Sequence, residues 1–99
     1  MRKLLDIDEV IHTPARLAIL LFLLPRPNAT FPEIKEALSL TSGNLSSHLK
    51  KLQSHRYVDI SKAFVDLKPT TIVSITPEGR RAVNEYASFL RRQLEQTES

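Results

Sequence analysis

The chain of 99 residues contains no cysteine and only two glycines. Without cysteine it can form neither a disulfide nor a thiolate metal site, and cysteine-based redox sensing is excluded. It also has no glycine-rich phosphate loop, no pair of carboxylates in an evident pocket and no recognisable nucleophile–base motif. These absences predict that the chain is not an enzyme, and no residue pattern indicates a cofactor.

Long hydrophobic runs are missing too. The only strongly apolar stretch is residues 17–24, which is too short for a membrane span of roughly 20 residues. The first residues turn acidic at Asp6 before any long apolar region begins, so we expect no signal peptide. We therefore expect a cytoplasmic protein without a membrane partner.

The residues that are present suffice for one modest core. Hydrophobic residues make up 41% of the chain, and a chain of this length forms one domain, which we place at residues 1–99. The net charge is +3. Residues 1–49 hold five basic and five acidic side chains, whereas residues 50–99 hold nine basic and six acidic ones. This basic surplus favours a surface for a polyanion in the second half of the chain.

Residues 38–52 predict the turn and the second helix of a helix-turn-helix. At about 100° per residue, Leu45, Leu49 and Leu52 form a narrow stripe that would face the core. The opposite face is small and polar at its start and basic further on; it comprises Gly43, Ser47, Lys50, Lys51 and Ser54. Small polar groups suit base edges and cations suit phosphates, so this face fits a DNA groove. An ordinary amphipathic helix with a solvated lysine pair would show the same pattern.

Three helices are predicted ahead of this stretch. We expect a short helix at residues 3–12 and a core helix that starts at Pro14 behind an N-cap at Thr13. Thr30 and Glu33 match a capping box for the third helix. Only three residues then separate that helix from the next one, and so short a link forces the two helices to cross steeply.

Two runs rich in β-forming residues follow, at residues 57–61 and 70–75. We expect an antiparallel hairpin with a long loop, in which Pro69 limits the pairing. Phe64 is expected to pack at the base of this hairpin, and insertion between base steps of DNA is the alternative. A helix-turn-helix followed by a hairpin is a winged helix.

The last predicted helix begins behind Thr76, with Pro77 at its first position, and extends to about residue 96. Its apolar side is larger than a small domain easily covers with its own residues; it comprises Ala82, Val83, Tyr86, Phe89, Leu90 and Leu94. We therefore favour a dimer seam, with the N-terminal helix as its partner, over an intramolecular core. The predicted fold class is mainly α with a β-hairpin (α+β), with the helix-turn-helix at about 31–55, the wing at about 57–76 and the dimerisation helix at about 77–96.

Several segments together resemble small winged-helix transcriptional regulators of the MarR/ArsR-like type, in the minimal subgroup that is little more than a DNA-binding domain. The segments are residues 12–20, 31–34, 40–52, 57–64, 68–71 and 75–80. The resemblance covers about residues 10–90. It implies a homodimer that binds a two-fold-related site on double-stranded DNA, with the terminal helices as the interface.

The resemblance also implies which residues make the contacts. In the recognition helix they are Thr41, Ser42, Gly43, Asn44, Ser46, Ser47, His48, Lys50 and Lys51. In the wing and its flanks they are Lys62, Lys68 and Thr70. At the dimer interface they are Leu4, Leu5, Val83, Tyr86, Phe89, Leu90 and Leu94. No arginine or glutamine stands on the first turns of the recognition helix, where bidentate base readout is strongest, so readout through water and DNA shape is expected to contribute.

The three histidines are scattered along the chain, and their spacing predicts no metal site. We favour a DNA contact for His48 over a half-buried place in its helix, and we expect a structural role for His12. His55, at a helix end, fits a structural role and a phosphate contact equally well. Arg16 either pairs with an acid such as Glu33 or reaches a phosphate, and the structural role is favoured.

The sequence thus predicts a dimeric, repressor-like transcriptional regulator that binds double-stranded DNA with some sequence dependence. Two alternatives stay open. The first is a winged-helix module for protein–protein contact through the apolar C-terminal helix. The second is a non-specific architectural DNA-binding protein. A small-molecule effector is possible as a further partner, but no residue pattern indicates one.

Overall fold

The structure, a computed structural model, describes residues 2–98; residues 1 and 99 of the predicted domain lie outside this range. Within it, a 3₁₀ helix is followed by four α-helices and three β-strands. Their bounds are Arg2–Asp6 for the 3₁₀ helix, Pro14–Leu23 for α1, Ala29–Thr30 for β1, Phe31–Leu38 for α2, Ser42–Ser54 for α3, Val58–Val65 for β2, Lys68–Ile75 for β3 and Pro77–Glu98 for α4. The strands form an antiparallel sheet in the order β1-β3-β2, which confirms the predicted α+β fold class.

The predicted helix at residues 3–12 is wrong in its second half. The 3₁₀ helix ends at Asp6, and Asp8 then redirects the backbone. The Asp8 carboxylate accepts hydrogen bonds from the amides of Val10 at 3.0 Å and Ile11 at 3.3 Å. An aspartate that bonds to nearby amides competes with helix formation, so the chain turns here.

The starts of α1 and α2 follow their sequence signals in different ways. Thr30 and Glu33 form the predicted capping box, each side chain bonding the other's amide at 3.2 Å. Pro14 occupies the first turn of α1 as predicted, but the Thr13 hydroxyl makes no capping bond. It accepts a hydrogen bond of 2.7 Å from Arg16 instead. Thr13 is therefore the N-cap residue, as predicted, but its side chain bonds to no amide of the helix.

The core lies between the helices and one face of the sheet. The predicted stripe of α3, which is Leu45, Leu49 and Leu52, is buried in it. It packs with buried residues of the other elements: Val10, Ile11, Ile19, Leu20, Leu23, Ala29, Ile34, Val58, Val73, Ile75, Val83 and Tyr86. Because α3 is anchored by one apolar stripe, its opposite face is left to the solvent.

The hairpin has no long loop. The two strands pair along their whole length, and the two-residue turn of Asp66 and Leu67 has φ angles of 51° and 65°. Pro69 does not limit the pairing, because it lies directly opposite Phe64. One step from a two-residue turn the opposed residues exchange no hydrogen bonds, so the missing N–H of proline is not needed there.

Two further features of the sheet differ from the expectation. Phe64 does not pack at the base of the hairpin, since 78% of its surface is exposed; the extended pairing carries it well beyond the core. The short strand β1 was not predicted, and it pairs Ala29 with Val73 and Thr30 with Ile72. A strand of two residues leaves no alternating pattern that a sequence could show.

The last helix begins as predicted, with the Thr76 hydroxyl accepting a 2.9 Å hydrogen bond from the amide of Gly79. From Pro77 to Glu98 it has 22 residues, so it is about 33 Å long. Together with the hairpin it makes the molecule elongated, with principal extents of 57 × 25 × 21 Å. Between residues 2 and 98, no helix has both the length and the apolar character of a membrane span.

Candidate nucleic-acid interface

The N-terminal half of α3 presents small polar side chains to the solvent. The Thr41 hydroxyl caps the helix by accepting a 3.1 Å hydrogen bond from the amide of Asn44, as predicted. Thr41, Ser42, Gly43, Asn44 and Ser47 are all exposed, and Ser46 is half-buried. The first amides of a helix point outward and favour a negative charge. This helix start therefore suits close approach to a phosphate backbone.

The C-terminal half of α3 adds the cations. Lys50 and Lys51 are both exposed, on the side opposite the buried leucines. His55 ends the helix, where its Nδ1 lies 3.2 Å from the Lys51 carbonyl oxygen and 3.2 Å from the Ser54 hydroxyl. The histidine thus has partners at the helix end, while the two lysines extend into solvent.

Arg16 connects the loop before α1 to α3. Its Nε donates a hydrogen bond of 2.6 Å to the Val10 carbonyl oxygen, and one terminal nitrogen lies 3.5 Å from Nδ1 of His48. The expected pairing with Glu33 is not among its contacts. His48 is half-buried, and Arg16, as a donor only, favours the tautomer in which His48 keeps its proton on Nε2. That nitrogen remains the donor of the ring.

The wing carries the remaining predicted DNA contacts. Lys62 and Lys68 are exposed and Thr70 is half-buried. Thr70 donates a 3.3 Å hydrogen bond to the carbonyl oxygen of Lys68. The two lysines lie on opposite strands near the tip of the hairpin, so the wing presents a cation on each side.

The residues predicted for the dimer interface fall into two groups. Val83 and Tyr86 lie in the chain's own core, where Tyr86 bonds His12 Nδ1 through its hydroxyl at 2.9 Å; their burial needs no second copy. Leu4, Phe89 and Leu90 are half-buried, whereas Leu5 and Leu94 are exposed. The outer end of α4 thus keeps an uncovered apolar surface.

The sequence did not predict the contacts of two residues that position the site. A Cβ placed on Gly79 would lie 2.2 Å from the carbonyl oxygen of Tyr57, so only glycine lets α4 approach the start of β2 this closely. Arg80 donates a 2.9 Å hydrogen bond to the Leu24 carbonyl oxygen at the end of α1. Both contacts join residues far apart in the chain. The signal for the start of α4, Thr76 followed by Pro77, predicts neither of them.

Tyr57 also links the hairpin to the N-terminal segment. Its hydroxyl donates a 2.6 Å hydrogen bond to the Asp8 carboxylate. Burial first, and then the bonded carboxylate, raise the pKa of Tyr57 to about 12. The phenol therefore stays protonated and keeps donating over the whole neutral range.

The part of the chain that the structure describes contains no grouping that would hold a metal ion. Among residues 2–98, no three side chains of histidine, aspartate or glutamate lie together as a ligand set. His12 contacts Tyr86, and His48 contacts Arg16. The histidines serve in three separate contacts.

A helix-turn-helix with a polar, basic outer face, followed by a paired wing, defines a winged helix DNA-binding protein. The chain belongs to the winged helix DNA-binding domain family, which matches residues 15–94. An uncharacterized protein of Methanocaldococcus jannaschii is 36% identical over 78 residues, which are 79% of this chain and 85% of that protein.

Solved structures show the same architecture. A transcriptional regulator homologue from Pyrococcus horikoshii OT3 superimposes with a TM-score of 0.90 at 35% sequence identity, covering 100% of both chains. A mutant of MarR from E. coli superimposes with a TM-score of 0.73 at 22% identity over 91% of this chain and 68% of that one, which shows a shared fold. The family and its fold are those of DNA-binding transcriptional regulators and not of enzymes. The prediction of a winged-helix DNA-binding domain is confirmed, and its fold is shared with MarR.

Proposed function

We propose that this protein is a homodimeric, repressor-like transcriptional regulator that binds double-stranded DNA in a sequence-dependent way in the cytoplasm. The observation that carries the proposal is the division of α3. Its leucine stripe is buried, while Lys50 and Lys51 and the polar start of the helix face the solvent. A helix that packs on the core with one face can insert its opposite face into the major groove.

In this proposal the contacts divide by type. The start of α3 approaches the base edges, with His48 donating from Nε2, and the other predicted residues there are Thr41, Ser42, Gly43, Asn44, Ser46 and Ser47. The phosphates are contacted by Lys50 and Lys51, and the wing contributes Lys62, Lys68 and Thr70. Cations on phosphates supply most of the affinity, and contacts to base edges supply the selection.

The dimer is proposed from the apolar groove between α1 and α4. This groove has a volume of about 350 Å³ and is lined by Leu17, Leu21, Val83, Tyr86, Ala87, Leu90, Arg91 and Leu94. Leu21 is 50% exposed and Leu94 is 59% exposed. A second copy would cover both leucines and place two recognition helices on one face, as a two-fold DNA site requires. Leu4, Leu5 and Phe89 belong to the same proposed interface.

One observation favours a second candidate, a non-specific architectural DNA-binding protein. The exposed residues on the first turns of α3 are short, and no arginine or glutamine is among them. Bidentate contacts from such long side chains each add about 1–3 kcal/mol of discrimination between bases. A surface without them binds backbone well and selects sequence weakly.

Fluorescence anisotropy with duplex DNA over a range of salt concentrations tests the main proposal. We expect the affinity to fall steeply with salt, because binding releases counterions. The double variant Lys50→Ala with Lys51→Ala should weaken binding to all sequences and reduce the log–log salt slope by about 0.9 for each phosphate that is no longer neutralised. As a matched control, Lys3→Ala with Arg81→Ala removes the same charge outside α3 and the wing, and should change the slope less.

Selection of bound duplexes from a random pool separates the two candidates. A regulator enriches a two-fold-related sequence, whereas an architectural protein enriches none. If the wild-type chain binds no duplex even at low salt, DNA binding itself is refuted and a role in protein–protein contact gains support.

A further inference from the structure

The tip of the wing is apolar and uncovered. Leu67 is 94% exposed, Phe64 is 78% exposed and Val65 is 42% exposed. These three side chains lie within four consecutive residues, at the end of a hairpin that the core does not reach. Exposed large apolar groups gathered at one place point to a contact that the isolated chain leaves unmade.

The strand register determines how this tip is arranged. Phe64 lies opposite Pro69, and Val65 lies opposite Lys68. Since side chains alternate between the faces of a strand, Phe64 and Pro69 form an apolar pair on one face, and Lys62 follows on that same face two residues away. The apolar tip is thus flanked by one lysine on each strand.

The backbone at the tip fixes Leu67 in an unfavourable place. Its φ of 65° follows a φ of 51° at Asp66, which together make the type I′ turn that glycine and asparagine normally supply. A bulky apolar residue in this left-handed region is uncommon. The positive φ disfavours leucine at this position, and the side chain is not buried in the core. Its side chain is therefore available for a partner.

The hairpin extends far enough for the side chains at its tip to reach the minor groove of DNA. From Val73, the last fully buried residue of β3 before the tip, the strand extends five residues to Lys68, roughly 17 Å. The minor groove is about 6 Å wide, so side chains enter it while a two-stranded ribbon does not unless the groove is opened.

We propose that Leu67 and Phe64 form an apolar wedge that enters the minor groove and partly unstacks a base step, kinking the duplex. This inference rests on the proposed DNA-binding function and specifies the role of the wing within it. Lys62 and Lys68 contact the phosphates on either side. Apolar side chains inserted in this way kink duplexes by about 20–90°.

The test measures bending separately from binding. A duplex of about 30 bp, taken from the random-pool selection and labelled at both ends, reports the end-to-end distance by energy transfer, and 2-aminopurine at its central step reports unstacking. The wild-type chain should shorten the duplex and raise the 2-aminopurine fluorescence. Leu67→Gly and Phe64→Ser should each reduce both signals and weaken binding roughly tenfold, with the salt slope unchanged.

The choice of Leu67→Gly guards against loss of folding. Glycine adopts the positive φ of this turn at no steric cost, so this variant should be at least as stable as the wild type. Pro27→Ser, which changes an exposed apolar residue outside α3, the wing and the proposed dimer interface, is the matched control and should leave bending intact.

The outcomes separate this inference from the proposed function. If the wild type binds duplex with a steep salt dependence but does not bend it, and the two tip variants bind equally well, the wedge is refuted and DNA binding stands. If the wild type binds no duplex, the proposed function fails as well. Sedimentation with phosphatidylcholine–phosphatidylserine vesicles that is lost in Leu67→Gly, without any effect on duplex bending, would also overturn the wedge.

Discussion

The phenol of Tyr57 donates a hydrogen bond of 2.6 Å to the carboxylate of Asp8, across 49 positions of sequence. This bond fastens the N-terminal segment to the first residues of the hairpin. Because burial and the carboxylate raise the pKa of Tyr57 to about 12 from an ordinary value of 10.0, the folded chain holds the phenolic proton more tightly than the unfolded chain does. The resulting stabilisation is complete below pH 10 and is lost as the pH rises from about 10 to about 12.

The first prediction concerns this pH dependence. Between pH 9 and pH 11 the free energy of unfolding of the wild type should fall more than that of Tyr57→Phe, which has no phenolic proton to lose. At neutral pH the variant should be less stable by about 1 kcal/mol, the usual net value of a hydrogen bond. Urea denaturation at several pH values measures both effects. Parallel pH profiles for the two proteins would contradict the assignment.

The second prediction concerns the two glycines. Gly79→Ala should destabilise the fold by about 1–3 kcal/mol, because its methyl group would overlap the Tyr57 carbonyl oxygen and press on Ile75. Gly43→Ala is the matched control, since a Cβ there meets nothing within 4 Å. In the first turn of a helix it should be neutral or stabilising by up to about 1 kcal/mol. Thermal unfolding of both variants compares them directly, and equal shifts would show that the close approach is unimportant.

The third prediction concerns the link between Arg16 and α3. Arg16→Met keeps much of the aliphatic packing but removes the hydrogen bonds to Val10, Glu9 and Thr13 and the contact with His48. It should lower the free energy of unfolding by about 1–3 kcal/mol, since the part-buried oxygens of Val10 and Thr13 lose a charged donor. Arg81→Met, at an exposed position of α4, should stay within about 0.5 kcal/mol of the wild type. Urea denaturation of the two variants measures the difference, and equal stabilities would contradict a structural role for Arg16.

The fourth prediction concerns the proposed dimer. Leu94→Glu should shift the oligomeric state toward monomer and weaken DNA binding, because a carboxylate would be buried in the apolar groove between α1 and α4. Leu67→Glu makes the same change at the tip of the wing, outside the proposed interface, and should leave the oligomeric state unaltered. Light scattering coupled to size-exclusion chromatography measures the mass. A wild-type monomer at micromolar concentration would refute the proposed dimer.

The signals that the sequence showed clearly were those that act within a few residues. The capping box of Thr30 and Glu33, the cap at Thr41 and the leucine stripe of α3 all depend on neighbours within one or two helical turns. Such contacts form whenever the local backbone is helical, so they could be identified before any tertiary structure was known. The winged-helix fold class followed from their order along the chain.

Local signals failed where another side chain competed for the same group. Thr13 stands in a capping position, but Arg16 holds its hydroxyl and also contacts His48 on another helix. The helix expected at residues 3–12 stops because Asp8 bonds two nearby amides and also accepts from Tyr57. In each case the choice depends on which partner lies closest in the folded chain.

By itself, then, the sequence determined the four α-helices, the caps at Thr30, Thr41 and Thr76, the presence of a hairpin and the basic, polar character of the outer face of α3. Only the tertiary structure decided that β1 joins the sheet, that Gly79 must be glycine, that Tyr86 is buried within its own chain and that Phe64 is exposed at the tip of the wing. The physical reason is the range of the interactions. Helical periodicity and caps depend on residues a few positions apart in the chain. Burial and strand pairing depend on residues that only folding brings together.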